Sequence, residues 1–339
     1  MKPRLEVKFP LSYQLQYWFG KEYNPMDNEF LLNHARSGII MALRAVLPSG
    51  SKVGVVAYNC HTVANAVCNA GCEPVFVDVT EDLIIDINHL STLEIDAIVI
   101  TNLFGIPNDI EKIRKVLSDK PIIVDNAHGY GLPQEGDFTV YSINQGKFPS
   151  VGEGGMLYVN NKNYIEDIKK EYQSLCKYGF IKQLILFIKM FVNACLYSSC
   201  LYPITYKLKQ KRSVVDNVHS TVYLKHMSPN IRKLYNYSLP TIQKQIAERK
   251  ATANDLINKL TQLFDIKRCL VGDNAFMLIV QSENVEELKQ YFKSNKIETE
   301  THFKNAINWA KQFGYKEVTC PTTENLTTEL LMIPVYKNK

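Results

Sequence analysis

Between about residues 35 and 160 the chain alternates two kinds of apolar spacing. "SGIIMALRAVL" places its apolar residues at helical intervals and is followed by the turn "PSGSK" and the short apolar run "VGVVAY". "TVANAVCNAG" repeats the helical spacing up to Gly71, and "EPVFVDV" then reads as a strand. "DAIVITNLFG", "PIIVDNA" and "FTVYSI" predict further buried strands, with "IEKIRKVLSD" a helix between two of them, and "GGMLYVNN" adds one more. Strands that are near-continuous Val/Ile runs separated by helices predict a mostly parallel sheet covered on both faces. The fold class is therefore α/β. Further on, "SLPTIQKQIAERKATANDLINKLTQLF" predicts a long helix. "AFMLIVQS" and "VEELKQYFKSNKI" predict a strand and a helix of a smaller α+β domain. A length of 339 residues exceeds one compact core. The expected division is a large domain over 1–212 and a small one over 213–339.

One segment departs from this alternation: "FIKQLILFIKMFVNACLYSSCLYPITYKLKQKR", residues 180–212. Lys182, Lys189 and Asn193 interrupt it, which argues against a spanning helix. The two lysines share a helical face, and a basic cluster runs from Lys207 to Arg212, a pattern compatible with a helix lying on an anionic membrane surface. The other reading is a pair of amphipathic helices packed on the large domain or across a dimer interface. Composition otherwise describes an ordinary globular protein, with 46% hydrophobic and 22% charged residues. The formal charge of +5 is spread out and makes no nucleic-acid footprint. The eight cysteines form no CxxC pair, so reduced buried thiols are expected rather than a zinc site or disulfides. "MKPRLEVKFPLSYQ" has no apolar stretch of the secretory kind, and a cytoplasmic protein is expected.

Two residues bring chemistry into this frame. Asp125 ends the predicted strand "PIIVDNA", at the edge where parallel sheets bind ligands. A carboxylate buried there needs a cation or a donor, although it can also cap the turn that follows. Lys147 lies 22 residues on, just past the next strand, so both side chains can emerge from neighbouring strand ends. Desolvated in a cleft, such a lysine has its pKa lowered towards that of a useful nucleophile; exposed, it is an ordinary loop residue. Asp125 tips the balance, because a carboxylate suits the cationic ring of pyridoxal phosphate. A phosphate site is offered by Ser37 and Gly38 at a predicted helix start, and Ser142 adds a hydroxyl; Ser-Gly at such a place is also a common cap.

Taken in order, "RSGIIMALRAVLPSGSKVGVVAYNCHTVANAVCNAGCEPVFVDV", "VDNAHGYG", "YSINQGKFPSVGEGGM" and "ENLTTELLMIPVY" resemble the DegT/DnrJ/StrS family of fold-type-I, pyridoxal-phosphate-dependent nucleotide-sugar aminotransferases. The resemblance covers nearly the whole chain. By it, Lys147 matches the lysine that forms the Schiff base with pyridoxal 5'-phosphate and then moves the proton at Cα. Asp125 matches the partner of the pyridine nitrogen, and His128 stands near the cofactor's phenolic oxygen. Ser142 and the turn Ser37, Gly38, Ile39 match the phosphate contacts. A group stacking on the ring comes from Cys60 or His61, with His61 favoured. Asn230, or less well Asn236, matches the asparagine that reaches the phosphate from a second subunit, with Arg232 completing the Asn-x-Arg pattern. Glu153 matches the motif without a chemical role. The resemblance implies a homodimer that moves an amino group from an amino acid, glutamate, to a nucleotide-linked keto sugar in surface polysaccharide or glycan assembly. Dehydratases of the family carry histidine at the lysine position, so Lys147 argues against that reaction. A third reading is a non-catalytic homologue attached to a membrane glycan-synthesis complex through 180–212. The segment 180–212 and the sequence after Asn230 depart from the family pattern.

Overall fold

The computed structural model describes residues 1–198, 200–210, 218–301 and 303–336. A seven-stranded sheet holds β1 (Glu29–Leu32), β2 (Lys52–Val56), β3 (Glu73–Val77), β4 (Ala97–Thr101), β5 (Ile122–Asn126), β6 (Phe138–Ser142) and β7 (Gly155–Val159). A three-stranded sheet holds β8 (Arg268–Val271), β9 (Leu278–Gln281) and β10 (Leu330–Ile333). The helices are α1 (Leu11–Phe19), α2 (Ala35–Val46), α3 (His61–Asn69), α4 (Ile87–Ser91), α5 (Ile110–Leu117), α6 (Ile165–Ser174), α7 (Phe180–Leu196), α8 (Tyr202–Gln210), α9 (Pro229–Ser238), α10 (Ile242–Leu263), α11 (Val285–Ser294), α12 (Ala306–Lys311) and α13 (Pro321–Glu329).

The large sheet runs β1-β7-β6-β5-β4-β2-β3. From β3 to β6 all pairings are parallel, as the uninterrupted Val/Ile runs predict, and each central strand is buried throughout. β7 and β1 depart from this by running antiparallel at one edge. The reason lies in the connection. The loop from β6 to β7 folds back through the Val151–Ile143 and Gln145–Gly152 backbone bonds and returns β7 antiparallel beside β6, whereas the equally helix-free link from β5 to β6 crosses over to a parallel neighbour. The loop that makes this return carries Lys147.

The two faces of the sheet are covered by α2 and α3 on one side and α4 and α5 on the other. Ile39, Ile40 and Leu43 of α2 pack into one cluster with Val55, Val99 and Val140, while Ile113 and Leu117 of α5 join Ile98 and Val124 in another. α9 buries Ile231, Leu234 and Tyr235 with Tyr17, Leu31 and Tyr141, and so packs on the large sheet. The division expected at 212/213 falls outside the described residues. The smaller sheet packs under α10 and α11, through Ala253, Leu260 and Leu288. The eight cysteines are free, but only Cys72 and Cys320 are buried.

Candidate active site

Parallel strands placed side by side bring their carboxyl ends to one edge, and there the chemistry collects. Thr101 ends β4 in register with Asp125 near the end of β5, and Ser142 ends β6 opposite Gly155. Asp125 is buried. Its Oδ1 accepts the Ala127 N–H at 2.9 Å and its Oδ2 the Thr101 hydroxyl at 3.2 Å. Asn59 Nδ2 in turn donates to Thr101 Oγ1 at 2.8 Å, fixing the hydroxyl. Burial pushes the Asp125 carboxyl above the usual range, while the Ala127 amide, Lys147 and Thr101 pull it back.

Lys147 is held by a loop folded on itself. Ile143 and Val151 are hydrogen-bonded at 3.0 Å, Gln145 N donates to Gly152 O at 2.9 Å, and Lys147 N donates to Asn144 O at 2.9 Å. Burial lowers the Lys147 pKa from its ordinary 10.5; Cys60 and Asp125 oppose the shift and Arg4 adds to it. The ammonium lies 6.0 Å from the centre of the Phe276 ring. The two residues expected to carry the reaction are therefore within electrostatic reach of each other, and each is pushed by burial towards its neutral form.

His128 joins them through the aromatic wall. Its ring stacks on Phe276 with centroids 4.7 Å apart and on Phe104 at 5.4 Å. Phe104 N donates to His128 Nδ1 at 3.3 Å, which assigns the imidazole proton to Nε2. Asn274 of the small unit donates to His128 O at 2.8 Å and fixes the backbone there.

Other expectations shift. α2 starts at Ala35, not at Ser37, with His34 as its N-terminal flank. Gly38 therefore faces the sheet, where a Cβ would meet Val140 at 2.9 Å and Leu157 at 3.2 Å, and Ile39 is core. Ser37 donates to Asn33 at 2.9 Å. The first turn opens with buried Ala35 and half-buried Arg36, and the sequence pattern passed over Arg36. Its Nε is buried without a hydrogen-bond partner among the described residues, and burial lowers its pKa against the pull of Cys60 and Glu153. "HARSG" did carry the signal, a cation one residue before the predicted cap.

His61 is the residue favoured for stacking on the ring. It opens α3 and turns to Trp309, ring to ring at 5.0 Å, whereas Cys60 is the residue within electrostatic reach of both Lys147 and Arg36. One residue at a helix start changes direction by about 100°. Asn230, expected to reach a second subunit, is buried at the first turn of α9 and hydrogen-bonded to Tyr17 of its own chain. Asn236 donates to Lys21 O at 3.2 Å, and Arg232 pairs with Glu22. Glu153 gains surroundings: it accepts from the Tyr178 hydroxyl and lies within electrostatic reach of His34 and Arg36.

A buried, cation-seeking carboxyl, a desolvated lysine and an orphaned arginine donor at a helix start fit the ring nitrogen, aldehyde and phosphate of pyridoxal phosphate. An α/β sheet of this order with such a set at its strand ends is the architecture of fold-type-I pyridoxal-phosphate enzymes. The model of the DegT/DnrJ/EryC1/StrS aminotransferase family matches residues 22–188 and 230–338, and the chain belongs to that family. It is 28% identical over 188 residues to dTDP-4-amino-4,6-dideoxy-D-glucose transaminase of Shigella dysenteriae, covering 51% of this chain and 48% of that one. It is 24% identical over 263 residues to GDP-perosamine synthase of Escherichia coli O157:H7, covering 71% and 72%. The sugar aminotransferase CalS13 from Micromonospora echinospora shares the fold, with a TM-score of 0.73 at 14% identity over 99% of this chain and 95% of that one.

Proposed function

We propose that the protein is a pyridoxal-phosphate-dependent aminotransferase that moves the amino group of an amino acid, glutamate, to the ketone of a nucleotide-linked sugar, in the cytoplasm and in the service of glycan assembly. The observation that carries this is the placement of Lys147, just past β6, within electrostatic reach of the buried Asp125 at the end of β5. The chemistry supplied by the bound cofactor is an aldehyde that carries the amino group and a ring that accepts an electron pair. Asp125, made costly by burial, keeps a proton on the ring nitrogen, because a cation there is what stabilises its charge. Lys147, its pKa depressed, takes the proton from the carbon bearing the amine and returns one to the carbon at the other end of the transfer. Arg36, the amides that open α2 and Ser142 hold the phosphate. His128 Nε2–H would donate to the ring oxygen of the cofactor, and Cys60 would stand where family members put an aromatic ring.

The large unit with its sheet would hold the cofactor, and the smaller unit from α10 onward would close the site through Phe276. A homodimer follows from the family reading, and the phosphate contact from a second subunit falls to a residue other than Asn230. The test is direct. Purified protein is mixed with pyridoxal phosphate, reduced with borohydride and mapped by peptide mass. The cofactor is expected on Lys147, with an amino sugar formed from a nucleotide keto sugar and glutamate. Label on another lysine, or none, overturns the reading.

A further inference from the structure

The family match stops at residue 188 and resumes at 230, so the last eight residues of α7 and all of α8 lie outside it. α7 packs through one face only. Phe187 meets Tyr17 and Trp18 at 5.4 and 5.5 Å, Met190 lies against Gly152, and Asn193 Nδ2 donates to Gln145 Oε1 at 2.8 Å. The opposite face is also apolar. Ile181, Ile185 and Ile188 are 73%, 59% and 51% exposed, and Leu184, Phe191 and Val192 accompany them. At about 100° per residue these side chains fill roughly 120° of arc, with no polar residue inside it. Lys182 and Lys189 lie side by side at one border of that arc, both exposed. α8 adds exposed Ile204 and Leu208 with Lys207 beside them, and α1, packed on α7, adds Leu11, Leu15 and Phe19.

Charge selects the occupant. From Tyr172 to Val215 the sequence has seven Lys and Arg and no Asp or Glu. Of these, the Lys209 side chain, Lys211 and Arg212 lie outside the described residues. A second copy seated here would set basic flank against basic flank. An anionic bilayer answers both the apolar arc and the lysines along its border. α7 is short for a crossing: its 17 residues rise about 25 Å against a hydrocarbon core of about 30 Å, and Lys182 and Lys189 interrupt it. Among the described residues no helix is long and apolar enough to span a membrane.

We propose that α7 and α8 lie in the plane of an anionic membrane. The arc centred on Ile188 sinks below the headgroups, while Lys182, Lys189 and Lys207 extend to lipid phosphates. The inner face of the same helix holds Gln145, two residues before Lys147. The catalytic loop then works about one helix diameter, ~10 Å, from the membrane plane. The inference does not depend on the transaminase reading.

Full-length protein is sedimented with vesicles of phosphatidylcholine, alone or with about one third phosphatidylglycerol. At least about tenfold tighter binding to the anionic vesicles is expected, falling several-fold as salt is raised. The Ile185→Glu/Ile188→Glu variant changes only solvent-facing side chains, and it should lose about tenfold or more of that binding with its mass by light scattering unchanged. Lys182→Gln/Lys189→Gln should bind both vesicles alike. Wild type that stays in the supernatant, or a glutamate variant that binds as wild type, overturns the proposal. So does a glutamate variant that falls to half mass, since the arc then covers a second copy.

Discussion

His34 shows how closely charge is managed around Arg36. Its ring nitrogen Nδ1 lies 3.3 Å from Asn144 Nδ2, and burial, with Arg36 adding to it, pushes its pKa from 6.5 to about 4. Between those values the unfolded chain binds a proton that the folded one refuses. Stability from this residue is thus complete above pH 6.5 and lost as pH falls towards 4, by on the order of 3 kcal/mol at most. In cofactor-free protein, urea unfolding across that range should show a flatter acid limb for His34→Gln than for wild type. Equal slopes would leave His34 without this role. At this scale the sequence was informative where a strand end fixed direction: Asp125, Lys147 and Ser142 follow from the alternation of apolar runs. It was uninformative where helix phase decides. Cys60 against His61, and Arg36 against Gly38, differ by a rotation that periodicity of a short segment does not resolve.

The glycine run after Lys147 belongs to the element that returns the chain from β6 to β7. Gly152 has φ +124°, where a side chain would be strained and would also strike Met190 at 2.6 Å. Gly155 serves a different need. A Cβ there would lie 2.2 Å from both Ala35 N and the carbonyl carbon of His34, so β7 passes in backbone contact with the start of α2. The motif therefore sets the distance between the lysine loop and the helix that would take the phosphate. Gly155→Ala must push α2 away, and should cost roughly 1–3 kcal/mol and weaken pyridoxal phosphate binding about tenfold. Gly179→Ala, with nothing within 4 Å, should stay within about 0.5 kcal/mol of wild type. Urea melts and cofactor titrations of the two variants compare them. The central strands were legible because each is buried on both faces. β1 was not, since four residues offer no period, and the reversal of β7 depends on the connection rather than on the strand's composition.

Across the whole molecule, the small unit reaches the site by two routes. Phe276 and Asn274 form the wall at His128, and Gly272 packs on the backbone of Gly105, where a Cβ would come within 2.3 Å. The second route is the N-terminal segment. Lys2 bridges to Ile297, Arg4 N donates to Glu298 at 2.6 Å, and Leu5 lies against Gly146 beside Lys147. Glu6 pairs with the buried Arg249 of α10, whose guanidinium sits 4.4 Å over the Phe148 ring. Residues 6 and 249 are too far apart for any local pattern to announce this tie. Removing one partner leaves a carboxylate in a poorly hydrated place, so Arg249→Met should destabilise by roughly 2–3 kcal/mol. The lower part of that range is expected because Lys8 Nζ remains 2.8 Å from Glu6. Glu6→Gln with Arg249→Met should recover part of the loss, since no unpaired charge remains. If the strap also positions the loop, the single variant should bind pyridoxal phosphate more weakly even under conditions where it is fully folded, because Phe148 adjoins Lys147. Equal affinity in folded protein would confine Arg249 to holding the two units together.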